Sequence, residues 1–74
     1  MNDEDFSYER SWDDIHTMLD KAERKQNAHF TALQRKSISK SQRIKHMRNY
    51  KALEGVIKAL RWVLGDKNIE HPLE

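Results

Sequence analysis

Apolar residues recur along this chain at spacings of three and four, and they do so in two separate runs. The first run extends from Ser11 to about Arg35, with Trp12, Ile15, Leu19, Ala22, Gln26, His29 and Leu33 stepping 3-4-3-4-3-4, the seam spacing of a coiled coil. Met18 and Phe30 lie beside that seam and widen its apolar face. Ser11 suits an N-cap, and Asp14 three residues later matches a capping box. Asp13 and Asp14 put negative charge into the first turn, and Arg35 and Lys36 put positive charge at the close, the arrangement a helix dipole favours.

The second run follows the serine-rich stretch Ser37-Ile38-Ser39-Lys40-Ser41, in which Ser39 (with Gln42 three residues on) or Ser41 can serve as cap. Its seam is His46, Tyr50, Leu53, Ile57, Leu60 and Leu64. Ala52, Val56, Ala59 and Val63 form a second row about 100° to one side on the helical wheel. Gly65 stands where a left-handed residue ends a helix, and the tail over 66–74 is polar and contains Pro72.

These patterns predict an all-α fold, a two-helix antiparallel hairpin of coiled-coil type, with helices about 11–35 and 41–64 inside a unit spanning 11–65. An acidic, flexible arm over 1–10 precedes it. Matched outward from the loop, Leu33 faces Arg43, Gln26 faces Tyr50, Ala22 faces Leu53, Leu19 faces Ile57 and Trp12 faces Leu64. The open end is then apolar, whereas the loop end carries Gln26, His29, His46 and Tyr50 on its seam. Two helices provide one thin contact line, which rarely sustains so small a domain. A symmetric homodimer of four helices would cover the remaining row, making Val56, Ala59 and Val63 the expected self-association residues.

Composition narrows the classes of function. The 74 residues include 14 basic and 12 acidic side chains, for a net charge of +2, and no cysteine. Disulfide scaffolds, thiolate metal sites and cysteine nucleophiles are thereby excluded. Abundant charge invites the thought of disorder, but here the charges nearly cancel, glycine and proline are scarce, and the apolar residues are periodic. The start is acidic, unlike a secretory signal. The longest apolar run, Trp62-Val63-Leu64, is far short of the ~20 residues that span a bilayer. A cytoplasmic protein without a membrane partner is expected. The closing Leu73-Glu74 has the look of a cloning scar, and no functional reading uses it.

Charge is also unevenly placed. Residues 1–23 carry a net −6, while residues 24–53 hold nine basic side chains and no acid. Arg35, Lys36, Lys40, Arg43, Lys45, Arg48 and Lys51 gather at the loop end, and Lys40, Arg43 and Lys45 open the second helix, where the dipole disfavours cations. Helix N-termini attract anions, so this tip is a candidate polyanion dock. A solvated face and contact with an acidic protein surface are the other two readings.

Other constellations lead less far. His29 and His46 can face each other across the hairpin, but two ligands are too few for a metal site, so paired or solvated imidazoles are expected. Asp13-x-x-His16 matches half of a di-metal bundle motif whose second copy is missing. No glycine-rich phosphate loop and no glycine-framed serine occur. Ser37, Ser39 and Ser41 are candidates for phosphorylation as well as for linker and cap duty. The second helix has basic and apolar sides, as membrane-surface and calmodulin-target helices do, and burial of its seam explains the same stripe.

Trp62 lies nearly opposite Leu53 and Leu60 on the wheel, beside Ile44. It is either an exposed partner anchor or a cover for the open end next to Phe6 and Tyr8. No cofactor and no enzymatic activity are expected, since nothing assembles a nucleophile, base and oxyanion donor. The expected function is a helical protein-interaction module, an adaptor or regulator that forms a homodimer and binds a protein partner. By architectural analogy alone, small accessory proteins of phages and mobile elements, and RNA-binding plasmid regulators, share such short hairpins. The alternative is a nucleic-acid-binding regulator that uses the basic tip.

Overall fold

The computed structural model describes Phe6 and residues 8–74. The arm expected over 1–10 therefore falls largely outside the described residues. Two helices follow, α1 over Trp12–Leu33 and α2 over Lys40–Val63. At 22 and 24 residues they are about 33 and 36 Å long, near equal, as a hairpin requires.

Both helices begin with a complete capping box. Ser11 accepts from the Asp14 backbone N–H at 3.1 Å, and Asp14 accepts from the Ser11 N–H at 3.0 Å. Ser39 and Gln42 repeat the exchange at 3.1 Å in both directions, which selects Ser39 over Ser41 as the cap. Each box satisfies two amide groups that a helix start leaves without partners.

The two ends are built differently. α1 stops at Leu33, short of Arg35 and Lys36, so no basic residue occupies its last turn. The expected dipole complement comes instead from the facing helix, where Arg43 Nη1 donates to the Leu33 carbonyl at 3.0 Å. α2 closes in a full Schellman motif. The Gly65 N–H donates to the Trp62 carbonyl and the Asp66 N–H to the Arg61 carbonyl, each at 3.0 Å. Gly65 adopts φ 86°, a conformation open to glycine at little cost. The tail then makes two turns: Asp66 Oδ1 accepts from the Asn68 N–H at 2.9 Å, and His71 Nδ1 from the Leu73 N–H at 3.2 Å.

Packing follows the expected seam. Ile15, Leu19, Ala22, Gln26, His29 and Leu33 of α1 are buried or half-buried, as are His46, Tyr50, Leu53, Ile57, Leu60 and Leu64 of α2. The register is fixed by His29 against His46, Phe30 against Tyr50, and Leu33 against Arg43. Trp12 departs from expectation. It is 65% exposed, while Leu64 shares a groove with Leu19, because the facing residues at the open end are offset from the uniform matching, as the meeting of Glu23 with Arg61 also shows.

The resulting core is thin. Among the described residues only Ala22 and Ala32 are buried, and neither completely. The radius of gyration, 15.4 Å, exceeds the roughly 11 Å of a compact globule of this length. The exposed surface is 6623 Å², against about 4,800 Å² for a compact monomer of the same mass. The molecule is a rod with one contact line.

Candidate interaction surfaces

The hairpin gathers the basic residues at one end. Arg35 and Lys36 lie in the connection, Lys40 and Arg43 in the first turn of α2, and Lys45, Arg48 and Lys51 along its next turns, all of them exposed. They differ in what they touch. Arg43 is committed to the Leu33 carbonyl, and Lys51 pairs with Glu54 at 3.5 Å. Arg35, Lys36, Lys40, Lys45 and Arg48 form no ion pair among the described residues. No acidic residue occupies the first turn of α2, so these cations and the helix dipole present positive potential together. The seven-residue cluster thus divides into five outward charges and two with structural partners.

Just inside this tip, His29 and His46 meet with Nδ1 atoms 2.8 Å apart and ring centroids 5.1 Å apart at 51°. Next to them Phe30 and Tyr50 lie with centroids 6.2 Å apart and planes tilted by 39°. The histidines pair as their seam positions require. Among the described residues no third metal-ligating side chain joins them, and His16 gathers no ligand group either.

The second surface is the outer side of α2. Ala52, Val56, Ala59 and Val63 are all exposed, the two valines to 44% and 42%. Trp62 is 49% exposed and Ile44 42%, on the side of α2 turned away from the seam. Trp62 is therefore not buried against the open end, where Tyr8 is itself 80% exposed.

At the open end Arg61 links three parts of the chain. Its Nη2 donates to Glu23 of α1 at 3.0 Å, and its Nη1 lies 3.7 Å from Asp66 of the tail. The chain runs α1, α2 and tail through this one guanidinium, whose Nε is buried without a hydrogen-bond partner. Sequence reasoning passed over Arg61. The matching outward from the loop sets Arg61 level with Ile15, about two turns from Glu23, so periodicity carried no signal for this contact.

Among the described residues the hairpin thus presents two surfaces, one basic and one apolar. No helix of the described residues is long and apolar enough to cross a membrane. No family model, no curated protein and no solved structure matches the chain.

Proposed function

We propose that this chain is a non-enzymatic helical interaction module, a cytoplasmic adaptor or small regulator that forms a homodimer through the second row of α2 and binds a protein partner. The observation that carries this reading is that the hairpin uses one of two apolar rows: the seam is covered, whereas Val56, Ala59 and Val63 stay in water. Apolar area removed from water is worth about 25 cal/mol per Å², so an uncovered row is a standing drive for association. The non-enzymatic part rests on the residue inventory, which has no cysteine, no glycine-rich loop and no glycine-framed serine. Sedimentation velocity at micromolar concentration tests the self-association. Wild type should run as a dimer, and Val56→Lys with Val63→Lys should run as a helical monomer. A wild type that stays monomeric and helical at high concentration would sink the reading.

A second reading has its own observation, five cations without an ion pair among the described residues, in the connection and the first turns of a helix whose first turn holds no acid. In it the tip binds nucleic acid through phosphates, with Tyr50 and His46 near enough to the tip for stacking on unpaired bases. Three or four phosphate contacts give a log–log salt slope of about −3 for duplex DNA. Binding should be weak and indifferent to sequence, since no element is shaped to read base edges. Lys40→Gln with Lys45→Gln and Arg48→Gln should lower affinity and slope together; Arg43 is left in place because it holds the Leu33 carbonyl. Unchanged binding by the triple variant, or none at low salt by wild type, leaves the tip a solvated face.

A further inference from the structure

The row that supports self-association belongs to a larger strip with a built-in direction. Gly55 and Trp62 flank Ala52, Val56, Ala59 and Val63 on the side away from the seam, and all six are exposed. Small residues, Ala52 and Gly55, occupy its N-terminal end, and large ones, Trp62 and Val63, its C-terminal end. A Cβ placed on Gly55 would meet nothing within 4 Å. A side chain arriving from outside can therefore lie directly on the backbone there.

Resting on the self-association reading, we propose that the strip is covered by the same strip of a second copy, running antiparallel, with the two-fold axis passing between Ile57 and Lys58. Size supports this geometry first. In that register Val63 of each copy meets Ala52 of the other, Val56 meets Ala59, and Trp62 reaches across Gly55. Large meets small at every level, as close packing demands. A parallel arrangement sets Trp62 against Trp62 and Gly55 against Gly55, crowded at one end and hollow at the other.

Charge points the same way. Antiparallel docking carries the basic half of one α2, with Lys45 and Arg48, toward the open end of the other copy. There Asp13 and Asp14 begin α1 and Glu70 follows α2, outnumbering Lys67, while Asp66 is shared with Arg61. Parallel docking places Lys45 and Arg48 beside their own counterparts, and like charges so juxtaposed oppose association.

The absence of cysteine makes single-cysteine cross-linking a clean test. Ala52→Cys and Val63→Cys chains, mixed under reducing conditions and then oxidised, should yield a covalent dimer. Val63→Cys alone should yield at least tenfold less. Gly55→Met, which fills the seat of Trp62 without removing a seam residue, should weaken dimerisation at least tenfold while keeping full helicity. Cross-linking by Val63→Cys alone that equals the mixture overturns the antiparallel arrangement. So does a dimer that cross-links in neither case, or one indifferent to Gly55→Met. A wild type that sediments as a monomer overturns self-association itself, a result the cross-linking yields cannot imitate.

Discussion

His29 and His46 face each other Nδ1 to Nδ1 at 2.8 Å, so one ring donates the shared proton and the other must accept it. The acceptor ring is neutral and carries its own proton on Nε2. The charged groups near this end are all cationic: Lys25 on α1, Arg35 and Lys36 in the connection, and Arg43, Lys45 and Arg48 on α2. No carboxylate lies between residues 24 and 53.

Removing one partner should weaken the loop end: His46→Gln should lower the midpoint of thermal unfolding by circular dichroism, and an unchanged midpoint contradicts a contribution from the pair. The cap of α1 responds to acid through Asp14. Hydrogen bonds to Ser11, through its backbone N–H and then its side chain, hold this carboxyl below its usual 3.8, with Arg10 adding to the effect. A depressed carboxyl contributes stability that is present above the unfolded value and lost as pH falls through the folded one, so the α1 cap should fail only in stronger acid.

Arg61 gives a second measurable expectation. Arg61 and Glu23 are 43% and 44% exposed, so solvent screens their pairing, and a coupling of about 0.5 kcal/mol is expected, within the range for exposed ion pairs. A double-mutant cycle of Arg61→Met and Glu23→Gln should return that value at low salt and less at 0.5 M. A coupling that does not shrink with salt would mean the contact is not ionic in origin.

The two glycines should respond to alanine with opposite signs. Gly65 has φ 86°, where a Cβ is strained by about 1–2 kcal/mol, so Gly65→Ala should destabilise by that amount. Gly55 lies inside α2 with open space around it, so Gly55→Ala should add up to about 1 kcal/mol of helix stability. Urea unfolding at concentrations low enough to hold the chain monomeric separates the two. Equal effects would argue against the Schellman ending.

Much of this fold was legible before any coordinates. The 3-4 spacing identified both seams, and every seam residue but Trp12 lies in the contact line. The register near the loop followed from aligning Leu33 with Arg43 and His29 with His46, whereas at the open end Leu64 lies by Leu19 and Arg61 by Glu23, offset from the uniform matching. Ser11, Ser39 and Gly65 were readable because caps act over three or four residues. What escaped were side-chain links across long separations. Arg43 at the Leu33 carbonyl and Arg61 between Glu23 and Asp66 depend on where two helices bring flexible side chains, which periodicity does not encode. The end of α1 was misplaced in the same way: the helix stops at Leu33, whose carbonyl Arg43 takes, and Arg35 and Lys36 lie in the connection. The seven-residue basic cluster was visible as composition, whereas its division into outward and committed charges was visible only as geometry.

The polar character of the loop end also sets the order in which the hairpin can form. The tip contacts close short segments, 10 residues for Arg43 to Leu33 and 17 for His29 to His46, whereas the Glu23–Arg61 contact closes 38. Closing 38 residues rather than 10 costs about 1 kcal/mol more in chain entropy. A zipper that starts at the turn would avoid this cost, but besides Ala32 and Leu33 the turn offers one shared proton and one capped carbonyl, while Leu19, Ala22, Leu53 and Ile57 lie further out. The nucleus is thus drawn away from the loop, and folding must meet the larger entropy before apolar contact repays it. Leu53→Ala should slow folding, while His46→Gln should mainly speed unfolding. The reverse pattern would place the nucleus at the turn.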